Sequence, residues 1–395
     1  MDIRLTKTVK IPDPIKIERY RRSPDLGPKI LFFSGGTALK KTCKKLIEYT
    51  DNSLHLITPF DSGGSSAKIR EAFQMISVGD LRNRLMALAD QNIKGNPAIY
   101  KLFSFRLPTE NKPEEIISII YEMIKGTHPL IIKIPDPMKK IICHHLRSFL
   151  NKMPIDFDLR GANIGNLLIT GGYLNNNKDI NSVLYIFTKL VESRGVVKPI
   201  VNKFLHLVAD LEDGTTLKGQ HLITGKEVPP IKSPVSSLYL VDSLNSSKPH
   251  QIKIDDISKK MIEEAELICY PMGSFYTSLI ANFLPEQVGL SIAKNVCPKV
   301  YIPNSTPDPE QLDLDLFDAV KIILKYLQKD TLGEKISKFL NFVLIDSKNS
   351  SYPYELNISE IKKLGVEVID TDLISQESKP YIDPELLIKI LLSLT

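Results

Sequence analysis

Three short polar segments, rich in glycine, follow one another in the first quarter of the chain. Residues 34–38 (SGGTA) come after the apolar run 30–33, and residues 61–66 (DSGGSS) come after the apolar run 54–57. Each is followed by a stretch with helical spacing of apolar residues, and residues 79–83 (GDLRN) form the third segment. This alternation of apolar run, tight turn and helical pattern predicts a parallel α/β sheet whose strands end in these turns.

The same turns predict the class of ligand. Parallel α/β sheets bind ligands at the carboxyl ends of their strands, where glycine lets the backbone approach a phosphate and a helix N-terminus favours an anion. The sequence lacks the P-loop pattern G-x-x-x-x-G-K-[ST], and it lacks G-x-G-x-x-G after the first apolar run. We therefore expect a phosphorylated ligand, a nucleotide or a nucleotide conjugate, bound without either of those fingerprints.

Taken together and in order, these segments resemble the CofD/YvcK family, which groups 2-phospho-L-lactate transferases with bacterial YvcK-type gluconeogenesis factors. The resemblance continues through residues 161–168 (GANIGNLL), 270–278 (YPMGSFYTS) and Asn304, and spans roughly residues 29–330. It implies a Rossmann-like, mostly parallel sheet with helices on both faces, a helical cap and a β-hairpin insertion.

The segments and the resemblance define a set of candidate site residues. Asp61 is the candidate catalytic residue and the candidate Mg²⁺ ligand, because hard cations take carboxylates together with phosphate oxygens. The other candidates are expected to contact the ligand; they are Gly35, Gly36, Thr37, Ser62, Gly63, Gly64, Ser65, Ser66, Asp80, Arg82, Asn83, Asn163, Gly165, Asn166, Gly273, Ser274, Tyr276, Thr277 and Asn304.

Structural roles compete with these functional ones. Asp61 could instead form an Asx-turn or an N-cap, and the serines and threonines could simply cap the helices that follow them. Asp80 could be an N-cap, and Arg82 could pair with a carboxylate. Gly165 and Asn166 could serve only to pack a helix closely.

Three departures from the family pattern bear on chemistry. Ser62 stands where YvcK-type relatives carry a second aspartate, one glycine of the relatives' G-P-G-S segment is lost near Met272, and Ala319 stands where relatives often have histidine. Three hypotheses remain open: a regulatory protein that binds a nucleotide or nucleotide sugar; an Mg²⁺-dependent transferase that moves a phospho-linked group to a hydroxyl acceptor; and an interaction protein that keeps the fold without the ligand.

The amino-acid composition limits the classes of protein to which the chain can belong. The 395 residues are 43% hydrophobic and 25% charged, as is ordinary for globular proteins. Residues 1–29 hold eight of the basic and four of the acidic side chains, so most of the net charge of +5 lies there and no nucleic-acid surface is indicated. The sequence shows no apolar leader and no run of about 20 apolar residues, so we expect no secretion signal and no membrane span. Its four cysteines form no C-x-x-C pattern, so we expect reduced cysteines and a cytoplasmic location.

The order of patterns suggests a division of the chain. Residues 1–29, rich in proline, are expected to form an extended basic arm. Residues 30–395 are expected to form one CofD-like domain, with a helical cap at 97–153, a hairpin and loop insertion at 198–250, and a C-terminal α/β extension at 331–395. We also expect the chain to form a homo-oligomer.

Overall fold

A seven-stranded parallel sheet organises the computed structural model, which describes residues 8–90, 96–331 and 333–395. Strands in the described part of the chain are β1 (Ile30–Ser34), β2 (Leu54–Ile57), β3 (Val196–Pro199), β4 (His206–Leu211), β5 (Thr216–Lys218), β6 (Val235–Val241), β7 (Leu267–Tyr270), β8 (Lys299–Tyr301), β9 (Phe342–Ile345) and β10 (Glu367–Asp370). The large sheet has the order β10-β9-β8-β7-β1-β2-β3, and a small antiparallel sheet has the order β5-β4-β6. The predicted fold class is confirmed.

Helices cover both faces of the large sheet. Those in the described residues are α1 (Pro14–Arg22), α2 (Lys40–Leu46), α3 (Gly64–Phe73), α4 (Gly79–Leu88), α5 (Pro97–Ser104), α6 (Pro113–Lys125), α7 (Pro129–Ile132), α8 (Met138–Lys152), α9 (Ile164–Asn175), α10 (Ile180–Leu190), α11 (Gln220–Ile223), α12 (Asp256–Glu263), α13 (Val288–Lys294), α14 (Leu316–Gln328), α15 (Ile358–Lys363) and α16 (Pro384–Leu394). Within the same ranges, no helix is both long and apolar enough to cross a membrane.

Alternate residues of β1 pack into two different hydrophobic clusters. Ile30 and Phe32 belong to one cluster, and Leu31 and Phe33 belong to the other. Successive side chains of a strand point to opposite faces of the sheet, so the strand is buried on both sides. The helical segment 97–153 contributes to the same cluster as Phe32, so it shares that core with the sheet.

Three segments differ from the sequence-based expectation. The arm at residues 1–29 contains α1, because Asp13 caps its first turn and Pro14 stands at N1, where proline favours helix. The strand β3, which had not been expected, pairs with β2 at the edge of the sheet. Residues 274–283, whose sequence predicts a single helix after an apolar strand, instead form a π-helical turn, Phe275–Leu279, followed by a 3₁₀ turn, Ile280–Phe283.

Candidate functional site

Two neighbouring cavities lie at the carboxyl ends of the central strands. The β2 cavity, about 490 Å³, is lined by residues that include Asp61, Gly63, Gly64, Ser66, Lys68, Arg106, Arg160, Asn163 and Glu227. The β1 cavity, about 440 Å³, is lined by residues that include Gly35, Gly36, Thr37, Lys226, Met272, Gly273, Ser274, Asn304, Asp308 and Tyr381. Because Lys226 and Glu227 are consecutive and line different cavities, the two cavities adjoin at this segment.

The turn after β1 contains two glycines with different roles. A Cβ atom on Gly35 would lie 2.7 Å from Ser278 Oγ and 2.9 Å from Thr58 Oγ1, so packing within the protein requires glycine there. A Cβ on Gly36 would meet nothing within 4 Å, and the φ angle of Gly36 lies outside the left-handed region. The main-chain N–H of Gly36 donates to Asp80 Oδ2 at 2.7 Å.

The Arg84 side chain, which sequence analysis did not single out, stabilises the turn after β1 by hydrogen bonds. Its Nη2 donates to Ser34 Oγ and to the Gly35 carbonyl, both at 3.2 Å, and its Nη1 lies 2.7 Å from Cys43 Sγ. The side chain is almost fully buried, with 2% of its surface exposed. No sequence signal separated it from Arg82, because both arginines belong to the same helix, α4, and both are buried there.

The turn after β2 forms the Asx-turn that was the structural alternative for Asp61. Asp61 Oδ1 accepts from the Gly63 N–H at 3.1 Å. Ser62 turns toward α11, where its Oγ is 2.9 Å from His221 Nδ1 and accepts from the His221 N–H at 3.2 Å. The Ser62 hydroxyl is therefore hydrogen-bonded to the insertion at 198–250. It does not stand beside the Asp61 carboxylate as a second oxygen ligand for a metal ion.

The carboxyl group of Asp80 is held near the carboxylate of Asp61. Burial and then the charge of Asp61 raise the pKa of Asp80 to about 6, against the opposing effects of the Gly36 N–H, Arg84 and Lys226. The carboxylate oxygens of Asp61 and Asp80, together with phosphate oxygens, are the type of ligand that Mg²⁺ prefers. Within the described ranges, however, no group of three or more His, Cys, Asp or Glu side chains is arranged to hold a metal ion by itself.

The third polar segment is largely buried. Arg82 Nη2 donates to Asn83 Oδ1 at 2.5 Å, whereas Arg82 Nη1 is buried with no hydrogen-bond partner among the described residues. Burial, and then the charge of Arg106, lower the pKa of Arg82 to about 10. Gly165 packs on this side chain, because a Cβ there would lie 2.8 Å from Arg82 Cδ. The packing role proposed as the alternative for Gly165 is therefore present.

Two asparagines at the start of α9 have distinct environments. Asn163 lines the β2 cavity, and its Oδ1 caps the helix by accepting from the Asn166 N–H at 3.1 Å. Asn166 is buried, and its Oδ1 lacks a hydrogen-bond partner among the described residues.

Asn304 clips the segment after β7 to the segment after β8. Its Oδ1 accepts from the Gly273 N–H at 2.9 Å, and its Nδ2 donates to the Gly273 carbonyl at 2.8 Å. Both residues line the β1 cavity, as does Ser274, whose Oγ lies 3.5 Å from Lys226 Nζ. These contacts fix the floor of that cavity with side chains from two separate loops.

Tyr276 and Thr277 were expected to contact the ligand, and the structure places them elsewhere. Their N–H groups both donate to Glu310 Oε2 at 2.8 Å, and Thr277 Oγ1 donates to Glu310 Oε1 at 2.5 Å. Both residues are almost fully buried, and Tyr276 lies in the hydrophobic core. An internal carboxylate thus occupies the anion position that the sequence had suggested for a phosphate.

The second polar segment also contains two adjacent serines, Ser65 and Ser66. Ser66 lines the β2 cavity and lies against α4, because a Cβ on Gly79 would be 2.6 Å from its Oγ. The Ser65 side chain lies outside the described part of the chain.

A comparison with known proteins agrees with this architecture. A model of the family described as 2-phospho-L-lactate transferase CofD matches residues 30–374. The chain belongs to the CofD family. Among the proteins similar to this chain, the gluconeogenesis factor of Listeria innocua is 26% identical over 361 residues, covering 90% of this chain and 91% of that protein. The gluconeogenesis factor of Bacillus subtilis is 25% identical over 364 residues, covering 89% and 92%.

Solved structures support the fold. A member of the UPF0052 family from Bacillus halodurans superimposes with a TM-score of 0.68 at 20% identity, covering 92% of this chain and 99% of that one. At 20% identity this similarity shows the fold alone. The chemistry of the site depends on the residues of this chain.

Proposed function

We propose that this CofD-family protein binds a nucleotide or nucleotide sugar across the β1 and β2 cavities and acts as a regulatory factor. The Gly36 position carries the proposal. Neither its backbone angle nor any neighbouring atom requires glycine, yet it lines the β1 cavity at a strand end. A phosphate lying against the main chain supplies a reason for the missing side chain. The name gluconeogenesis factor, borne by both relatives, favours a regulatory role over a catalytic one.

The charges that line the β2 cavity fit a ligand with an anionic part. Arg106, Lys68 and Arg160 bring positive charge to its wall. Asp158 also lines the cavity and pairs with Lys68 at 3.1 Å and with Arg160 at 2.9 Å, which leaves Arg106 as the cation of this wall that is not paired with Asp158. Asp61 and Glu227 are the other acidic residues of the lining. The unpaired Nη1 of Arg82 lies close enough to Arg106 for the two charges to affect each other. A mixture of cationic and hydrogen-bonding groups is suited to phosphate and hydroxyl groups of a nucleotide conjugate.

A transferase is the second candidate, favoured by the closeness of Asp61 and Asp80. In that case both carboxylates would hold Mg²⁺, which would stabilise charge on a phosphoryl group. The engagement of Ser62 with His221 argues against it, because the hydroxyl is already bonded within the protein. The third hypothesis, a fold retained without a ligand, predicts that no nucleotide binds.

A thermal-shift experiment tests the proposal. The full-length protein would be heated with ADP, UDP, NAD or UDP-N-acetylglucosamine at millimolar concentration, with and without Mg²⁺. A ligand present at 100 times its Kd should stabilise the fold by about 2.7 kcal/mol. Gly36→Val should abolish that shift while retaining its own melting transition. If no nucleotide raises the melting temperature of the unmodified protein, the proposal fails and the ligand-free hypothesis gains.

A further inference from the structure

A third cavity adjoins the β1 cavity and is walled in part by the C-terminal segment. It has a volume of about 300 Å³, and its lining includes Lys41, Thr42, Ser305, Ile382 and Pro384. It shares six lining residues with the β1 cavity, namely Thr37, Ala38, Met272, Asn304, Thr306 and Tyr381. We call it the C-terminal pocket. A ligand that places a phosphate against the turn after β1 can therefore extend into it.

Tyr381 borders both cavities and remains accessible. The residue is 61% exposed, and its side chain makes no hydrogen bond or ring contact with the residues the structure describes. An exposed aromatic ring at the rim of a cavity offers a face on which another ring can stack. Tyr381 also lies seven positions beyond residue 374, where the match to the family model ends.

The backbone that carries Tyr381 is firmly held. Ser305 Oγ donates to the Pro380 carbonyl at 2.8 Å, and the Tyr381 N–H donates to the Ser378 carbonyl at 2.8 Å. On the other side, the Asp383 N–H donates to the Leu373 carbonyl at 2.7 Å, and Asp383 caps α16. Because this backbone is already held before the ligand arrives, the segment loses little entropy on binding.

We propose that the C-terminal pocket is the nucleobase subsite of this protein and that Tyr381 stacks on the base; the inference rests on the proposed nucleotide-binding function. Met272, Ile382 and Pro384 give the pocket apolar surface for the flat face of a base. Thr42 and Thr306 bring hydroxyl groups that can meet its edges. A volume of about 300 Å³ lies at the lower end of small-molecule sites, so the pocket holds one part of a nucleotide and leaves the phosphates at Gly36.

Tryptophan fluorescence offers a direct test, because the chain contains no tryptophan. Tyr381→Trp places a single indole in the pocket, and Tyr121→Trp is the matched control, since Tyr121 is 50% exposed on α6 and lines none of the three cavities. UDP and ADP should quench the emission of Tyr381→Trp and leave that of Tyr121→Trp unchanged. Inorganic pyrophosphate, which lacks a base, should quench neither.

Calorimetry completes the test. Tyr381→Ala should weaken UDP or ADP binding about 5- to 100-fold and leave pyrophosphate binding unchanged, whereas Tyr381→Phe should keep the affinity. An unaltered Kd for the nucleotides in Tyr381→Ala would overturn the inference. So would a loss confined to UDP-N-acetylglucosamine with UDP unaffected, since the sugar would then occupy the pocket. If the unmodified protein binds none of these nucleotides, the proposed function itself fails.

Discussion

The main-chain N–H of Gly36 and Oδ2 of Asp80 form a 2.7 Å hydrogen bond between residues 44 positions apart. This bond joins the turn after β1 to the first turn of α4 at the edge of the β1 cavity. It brings two of the polar segments found in the sequence into direct contact, and it places a titratable carboxyl group beside the proposed phosphate position.

The two adjacent glycines should respond differently to alanine. Gly35→Ala should lower the free energy of unfolding by about 1–3 kcal/mol, because its Cβ would collide with Ser278 and Thr58. Gly36→Ala should be neutral or should stabilise by up to about 1 kcal/mol, since its Cβ enters open space and the unfolded chain loses freedom. Denaturant unfolding of both variants measures this contrast, and equal destabilisation would contradict the open space at Gly36.

Asp80 should make stability depend on pH. Its pKa is raised from 3.8 to about 6, so ionisation is more costly in the folded state than in the unfolded state. The contribution of Asp80 to stability is fully present below about pH 4 and is lost as the pH rises through 6. Asp80→Asn, which can still accept from Gly36, should be more stable than the unmodified protein at pH 7 by about 1–3 kcal/mol, with little difference at pH 4.

Urea unfolding of the two proteins from pH 4 to pH 8 measures this effect. The gap between them should open between pH 4 and pH 6 and stay constant above. A gap of constant size over the whole range would mean that the substitution acts through packing and that the Asp80 carboxyl group titrates normally.

Variants of Asp61 and Ser62 should distinguish a nucleotide-binding factor from a transferase. If the protein is a binding factor, the calorimetric Kd for its best nucleotide should be nearly the same in Mg²⁺ and in EDTA, and Asp61→Asn should weaken binding only modestly. Ser62→Asp should increase the dependence on Mg²⁺, because a second carboxylate improves a site for a hard cation. Strong dependence on Mg²⁺ in the unmodified protein would instead support the transferase.

Thr277 should matter for stability and not for the ligand. Burial, followed by the charge of Asp308, raises the pKa of Glu310, and the Thr277 hydroxyl is one of its hydrogen-bond donors. Thr277→Val removes that donor and should cost about 1–3 kcal/mol of unfolding free energy, with an unchanged nucleotide Kd. Ser274→Ala is the matched comparison, since Ser274 lines the β1 cavity and its loss should weaken binding at nearly constant stability. Reversed outcomes for the two variants would return Thr277 to the site.

The local sequence pattern was sufficient to predict the type and position of most helices and strands. The apolar run at 54–57 became β2 with those bounds. The apolar runs at 267–270 and 342–345 likewise predict strands, and they became β7 and β9 with those bounds, because buried parallel strands are short and continuously apolar. The strand β3 was missed because it carries Lys198 and ends in Pro199, which favours an edge position and weakens the apolar signal. The fold class and the family followed from the order of the turns.

The partners of each site residue were decided by tertiary structure. Parallel strands pair with segments far away in sequence, so β1 lies between β2 and β7, and no local pattern specifies that order. For the same reason the sequence could not show that Glu310 occupies the N–H groups of Tyr276 and Thr277, or that His221 holds Ser62. The sequence by itself determined which turns end the strands. Packing between distant segments decided which polar groups face the cavities and brought Tyr381 to their rim.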